Sequence, residues 1–282
     1  MSLKGNDGID FINRISTNDF SNFTENSFKW TFFTSEKGKI IDLVLVLFFE
    51  KELILIGSFE NRNVLKNHLD KYLFTEDVLI SECNNFRYYG ILFGDINSEI
   101  LIEKYDFANN LFLYKNICLF KNDFDDNSKI ILFNDSSALK SVATELDIYD
   151  EMSYDMYRIN KFIPEQGKEI TNKVNPLECN LEKYVSFNKG CYIGQEVIAR
   201  LESQNKKTFT LIRFKFETNY DIDNFLFIDK NTTDEECGII TTKVKKNEVH
   251  YCLGFIRSKY LENTGKHFTK DINNNQIFIN LF

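Results

Sequence analysis

Residues 186–200 read SFNKGCYIGQEVIAR, and the reading of this stretch decides the fold. Lys189, Cys191, Tyr192, Gln195, Glu196 and Arg200 fall within twelve positions, threaded with Gly190 and Gly194. Glycine has no Cβ to forbid left-handed dihedrals or hold a neighbour away, so two glycines around Cys-Tyr-Ile predict a tight turn that presents a thiol. An ammonium two residues from a thiol favours the thiolate, which is the nucleophilic and redox-active form. Cys191 and Lys189 are therefore the candidate catalytic pair. The plainer alternative is a buried Cys191 acting as a small hydrophobe beside a solvated Lys189, because free cysteine is among the most buried residue types.

Working outward, the polar break ESQNKK at 202–207 is followed by KTFTLIRFKFE, NFLFID, CGIITTKV, VHYCLGFIR and NQIFIN. Short β-rich runs separated by polar turns predict a small antiparallel barrel or sandwich over 206–282. On the other side of the motif, YDMYRINKF predicts a short helix carrying Arg158, and Pro164, Gly167 and Pro176 punctuate a long polar connection of the kind that is often functional. Further back, FKWTFFT, KIIDLVLVLFF and ELILIG predict an antiparallel meander joined by short turns. Asp7 is placed to cap a first helix through DFINRI. In 59–73, Phe59, Val64, Leu65, Leu69 and Leu73 predict the buried stripe of a helix packed on that meander. Strands at 77–83 and 87–94, a helix at 95–105, strands at 111–120 and 128–134 and a helix at 136–146 then repeat the texture. The expected architecture is α+β: two sheet-and-helix units over 1–205, dividing near 106–110, followed by a C-terminal antiparallel β-barrel.

Composition narrows the function. A formal net charge of −8 argues against a surface that grips nucleic acid, since phosphate binding needs clustered Lys and Arg. The six cysteines form no CxxC pair, and the three histidines are far apart without acidic partners, so no metal site is expected. Cys179 and Cys191 are expected to stay separate thiols in a reducing compartment, and Cys237 and Cys252 to pack in the barrel. The longest apolar run, IIDLVLVLFF at 40–49, is too short to span a bilayer. No apolar run follows the basic start. A cytoplasmic protein with no membrane partner is expected.

KGCYIGQE at 189–196 closely resembles the signature of the YgfZ family, and GNDGIDFINRISTNDF, TFFTSEKGKIIDLVLVL, the R158-to-IPEQG stretch and LGFIR match it more weakly. That family is similar in fold to the glycine cleavage T-protein, a tetrahydrofolate-dependent aminomethyltransferase. The resemblance implies a GcvT-like folate-binding body plus a barrel, closed into a ring with a central channel. It also implies tetrahydrofolate or a folate derivative as cofactor and a role in assembly, maintenance or repair of iron–sulfur clusters in client enzymes, including radical enzymes that modify tRNA. Its reactive residue would be Cys191.

Folate is a flat pterin on an anionic tail, so its site needs apolar walls, a few polar groups and cations. Tyr192 can stack, Gln195 and Glu196 can meet polar edges, Arg200, Lys189 or Arg158 can hold a tail, and Gly190 and Gly194 can let the ligand approach. Against these stand two structural alternatives, a Glu196–Arg200 helix-surface pair and a core Tyr192. The aminomethyltransferase alternative meets two departures. Asn160 stands where that enzyme's RxEAG motif has a glutamate, and GKIIDLV offers only Asp42 where it has paired aspartates. Aminomethyl transfer needs a carboxylate near the reacting nitrogen. One cysteine cannot hold an iron–sulfur cluster, so any cluster would be shared with a client enzyme or cluster carrier protein.

Overall fold

The structure is a computed structural model that describes residues 1–82, 88–93, 111–114, 117–121, 123–124, 128–133, 151–229, 234–261 and 266–282. The expected helices at 95–105 and 136–146 and the division near 106–110 lie outside the described residues.

A five-stranded sheet has the spatial order β2-β3-β4-β1-β5, from β1 (Ser2–Lys4), β2 (Ser27–Thr34), β3 (Ile40–Phe49), β4 (Glu52–Ile56) and β5 (Leu79–Ser81). The near-continuous apolar run of β3 is explained by burial on both faces. Ile40 and Leu43 enter one core and Val44 and Val46 another. Helices α1 (Gly8–Ile15) and α2 (Arg62–Tyr72) cover the second core through Phe11, Ile12, Ile15, Leu65 and Leu69.

A four-stranded sheet follows, from β6 (Tyr88–Phe93), β7 (Leu111–Tyr114), β8 (Ile117–Lys121) and β9 (Ser128–Phe133), in the order β6-β9-β8-β7. Read from the other edge, 7-8-9-6 repeats 2-3-4-1, so the two sheets share one topology without sharing sequence. Beyond α3 (Glu151–Lys161) and α4 (Gln195–Ser203), a nearly closed antiparallel barrel has the order β15-β14-β11-β12-β13-β10-β16. Its strands are β10 (Phe209–Glu217), β11 (Phe225–Asp229), β12 (Asp234–Lys246), β13 (Val249–Arg257), β14 (His267–Lys270), β15 (Gln276–Phe278) and β16 (Asn280–Leu281). Cys237 and Cys252 are buried in its core, and burial pushes both thiols up to about 12.

Several expectations need correction. Asp7 precedes α1 without a side-chain cap, because its carboxylate accepts the Asp77 N–H at 2.8 Å instead. Phe59, which precedes α2, and Val64 on it are 73% and 55% exposed, and His68 joins Leu65 and Leu69 on the buried side. The short β1 and β14 escaped the periodicity, and NQIFIN divides between β15 and β16. Strands of two to four residues offer too little alternation to read.

The hydrophobic cluster that positions the site is assembled from all parts of the chain. Phe32, Ile40 and Leu43 come from the first sheet, Leu177, Leu181, Tyr184 and Tyr192 from the connection, and Leu211 and Phe255 from the barrel.

Candidate functional site

The connection reaches its place through local side-chain bonds. Asn175 Oδ1 accepts the N–H groups of Leu177 and Glu178, closing a turn that the Asx side chain favours. Glu178 is buried and accepts the N–H groups of Asn175 and, at the start of the barrel, Phe209, while Lys39 of the first sheet lies 3.5 Å from it. Thr17 donates to the Tyr184 carbonyl at 2.8 Å, and Ser186 N–H donates to the Thr17 carbonyl.

The two glycines of KGCYIGQE have different jobs. Gly194 has φ +83° at the N-cap of α4, and a Cβ there would lie 2.5 Å from the Ser35 carbonyl oxygen and 2.9 Å from Thr34 Oγ1. Only glycine fits this backbone and this gap. Thr34 Oγ1 donates to the Ile193 carbonyl at 2.6 Å, so the helix start is fixed to the β2–β3 turn. Gly190 has no positive φ, and a Cβ on it would meet nothing within 4 Å. The tight turn expected at both glycines exists at one, and beside Gly190 there is open space.

Between them, side chains alternate. Cys191 is exposed and free, while Tyr192 is only 7% exposed and belongs to the central cluster. Lys189 does not serve the thiol as expected: its ammonium donates to the carbonyls of Asn13, Ser16 (2.9 Å) and Asn18 (2.6 Å). An ammonium has three N–H groups, and all are committed to the C-terminal end of α1 and the loop after it. Burial lowers Lys189 to about 8, with nearby Asp19 acting the other way. Its Nζ lies over the Tyr192 ring, 5.4 Å from the centroid. Cys179 is buried, apart from Cys191, and its thiol donates to the Glu169 carbonyl.

Glu196 and Arg200 are exposed on α4 and Gln195 is half-buried. The helix-surface pair allowed by their spacing is absent from the ion pairs among the described residues. Arg158 is the clearest correction. It is fully buried, and its Nε and Nη2 donate to Asp155, Nη1 to the Ile163 carbonyl and Glu169, and Nη2 also to Thr242 of β12. A guanidinium has five N–H donors, so none is left for an anionic tail. A bulge in β12 between Ile240 and Thr242 turns both Thr241 and Thr242 toward Glu169 Oε1, each at 2.6 Å. This clasp joins α3 to the barrel, and no periodicity announces it. Asn160 is exposed, its carbonyl accepting from Arg213 at 2.6 Å.

The sequence reading also missed the aromatic residues that share the central cluster with Tyr192. Trp30 lies 6.3 Å from Tyr184 and 6.0 Å from Phe124, and Phe124 lies 5.6 Å from Tyr184. Trp30 Nε1, Tyr184 Oη and Tyr192 Oη are buried without a hydrogen-bond partner among the described residues. Burial raises both phenols, Tyr192 to about 12. Buried polar groups are nearly always paired, so three orphans in one cluster fit a ligand that supplies the missing partners. Two cavities are bounded by described residues elsewhere, one of about 500 Å³ at the barrel seam beside Phe216 and Phe278 and one of about 270 Å³ beside the clasp. Neither touches the motif, and the orphaned groups are the stronger guide because they carry directional chemistry.

Asp42 is also fully buried, but on the other side of β3 from Leu43, which faces the central cluster. Its Oδ2 accepts the Ser58 N–H at 3.0 Å and its Oδ1 has no partner among the described residues. Burial pushes the carboxyl up to about 7, against the Ser58 hydrogen bond. Among the described residues, no three His, Cys, Asp or Glu side chains converge as metal ligands. No described helix is long and apolar enough to cross a membrane.

Comparison with solved structures places this architecture. Aminomethyltransferase T of the glycine cleavage system from Bartonella henselae superposes with a TM-score of 0.83 at 14% identity, over 99% of this chain and 81% of that one. The fold is therefore the GcvT-like α+β fold with a nearly closed C-terminal β-barrel. Within that fold the sequence stands at a distance from two kinds of relative. An aminomethyltransferase from Thermoanaerobacter pseudethanolicus is 21% identical over 308 residues, 93% of this chain and 77% of that protein. The tRNA-modifying protein YgfZ from Buchnera aphidicola is 24% identical over 229 residues, 78% and 67% of the two chains. YgfZ from Aliivibrio fischeri reaches 32%, over 78 residues and 26% of this chain. No family model matches the chain.

Proposed function

We propose that this chain is a folate-binding accessory protein that supports assembly, maintenance or repair of iron–sulfur clusters in client enzymes, acting through Cys191. The observation that carries the choice over aminomethyl transfer is the contrast between Asp42 and Cys191. The acid on the strand after the glycine turn is enclosed behind β3, whereas the thiol stands exposed on the next-door motif. A proton-transferring carboxylate must come within hydrogen-bond reach of the reacting atom, and Asp42 is on the wrong face for the central cluster.

The residues around the cluster fit a flat heterocycle. Phe32, Trp30, Phe124 and Tyr184 supply apolar walls, and the indole N–H and two phenols supply hydrogen bonds. With Arg158 and Lys189 committed elsewhere, Arg200 is the member of the predicted set with a cation to offer an anionic tail. Folate, when bound, supplies a carrier for one-carbon units. The chain itself orients the ring, keeps water from it and holds a thiol at its surface. A cluster delivered to or taken from a client would need ligands from that partner, since Cys191 stands without converging ligands among the described residues.

Cys191→Ala tests this reading. The variant should fold and bind folate like the parent yet fail to restore iron–sulfur enzyme activity in cells that lack the corresponding endogenous protein. Full restoration by the variant contradicts the proposal, and turnover of an aminomethyl-loaded carrier protein by the parent chain would favour the transferase reading.

A further inference from the structure

The barrel is brought near closure by one short segment that divides its pairing. Its first part, β15, pairs with β14 through Gln276, Ile277 and Phe278, and its second part, β16, pairs with β10 through Asn280 opposite Lys215 and Leu281 opposite Phe214. Beyond the Lys215–Asn280 rung, β10 runs on to Glu217 and the two strands part. On the sides that face each other, Phe216 and Glu217 of β10 and Gln276–Phe278 of β15 carry no strand pairing among the described residues. Between these edges lies the cavity of about 500 Å³, which Tyr251 of β13 also lines. An unpaired strand edge is a row of main-chain donors and acceptors, a template for a further strand. An aromatic ladder ends at the same place. Phe227, Phe268 and Phe278 are cross-strand partners on β11, β14 and β15, with ring centroids 5.7 and 6.0 Å apart along the row. Phe268 is fully buried, whereas Phe278, at the seam, is 46% exposed.

We infer that the seam is a docking site for a short extended segment of a partner protein, which adds as a strand between β10 and β15 and continues the phenylalanine ladder with an aromatic or large aliphatic side chain. Two walls that both offer alternating N–H and C=O groups call for an occupant with the same alternation on its two edges, which is a strand. The side chain follows from the ladder, because cross-strand aromatic pairs stabilise a sheet and Phe278 has a partner on one side only. The Lys215–Asn280 rung closes one end of the cleft, so the segment is short and enters from the Glu217 end. Lys215 lines the cleft and the Lys266 ammonium lies 5.4 Å from the Phe278 ring centroid, against Glu217 as the lining acid, so acidic residues flanking the aromatic one are favoured. The seam does not touch KGCYIGQE, and the inference stands apart from the folate reading.

The test is a fluorescence-anisotropy titration of the full chain into dye-labelled, amidated peptides Asp-Thr-X-Thr-Asp, with phenylalanine, tyrosine, tryptophan, leucine or alanine at X. Each is compared with a copy whose backbone is N-methylated on both sides of X, which keeps the side chains and removes main-chain donors. Saturable binding is expected for an aromatic or leucine peptide, weakened about tenfold by N-methylation and by alanine at X. Phe278→Lys, at a half-exposed position, should weaken the same peptide about fivefold or more while melting cooperatively like the parent. The N-methylated peptides test the inference on the parent alone, whatever the variant's stability. No binding of any peptide, or binding indifferent to N-methylation, overturns strand addition. Concentration-dependent dimerisation of the parent that Phe278→Lys abolishes, seen by sedimentation, would assign the seam to a second copy of this chain and overturn the partner segment.

Discussion

Two of the buried polar groupings among the described residues are finished differently. In the clasp, Arg158 has all five N–H groups partnered by Asp155, the Ile163 carbonyl, Glu169 and Thr242. In the central aromatic cluster, Trp30, Tyr184 and Tyr192 bury polar atoms that no described residue meets. A grouping that holds a fold together satisfies itself, because any unpaired buried group costs free energy in every molecule that folds. A grouping that awaits a ligand carries that cost until the ligand arrives.

The comparison breaks most visibly at Arg158. Arg158→Met leaves Asp155 and Glu169 without their guanidinium, and loss of one partner from a buried ion pair typically costs about 3–5 kcal/mol, to be read from urea unfolding. A loss below about 1 kcal/mol would mean that the clasp is not a structural joint. Asp42 comes next, since it is a buried group that is only half satisfied. Its folded carboxyl titrates near 7 against 3.8 for the unfolded chain, so the enclosed neutral form is favoured below that range and the fold loses stability as pH rises from about 4 through 7. The full span amounts to roughly 4 kcal/mol as an upper bound. Unfolding measured from pH 4.5 to 8.5 should show this slope in the parent and a flatter one in Asp42→Asn; parallel slopes would contradict it.

The two motif glycines give a smaller and sharper contrast. Gly194→Ala forces a Cβ into the β2–β3 turn and should cost about 1–3 kcal/mol, while Gly190→Ala should change stability by less than about 0.5 kcal/mol. Equal costs would place Gly190 in a packed turn after all. The smallest expected effect carries the opposite sign. Tyr184→Phe and Tyr192→Phe remove orphaned hydroxyls and should leave the unliganded melting temperature unchanged or slightly higher. A marked drop would show that the hydroxyls already have partners.

The molecule was unevenly legible in its sequence. Long strands such as IIDLVLVLFF and the regular barrel runs announced themselves, because β-branched and aromatic residues fill paired, half-buried surface. Two strand-rich stretches were visible as texture, although the strand order their sheets share depends on β1, which has three residues. Glycine at 194 was readable as a backbone requirement. The lysine was misread because sequence proximity to Cys191 says nothing about direction, and the carbonyls it meets lie more than 170 positions away. Arg158 was misread for the same reason, since its clasp depends on Glu169 and on a bulge in β12. Trp30 and Tyr184 had no motif to advertise them and become a site only once β2 and the connection meet.

The proposed folate site is the unsatisfied aromatic cluster, with one folate proposed per chain. Calorimetric titration of the intact chain with a folate tests it most directly. A saturable heat with one molecule bound per chain is expected, preserved in Cys191→Ala and weakened when Trp30 or Tyr192 is replaced by alanine in a variant that still melts cooperatively. No heat of binding, or binding indifferent to both aromatic replacements, would contradict it.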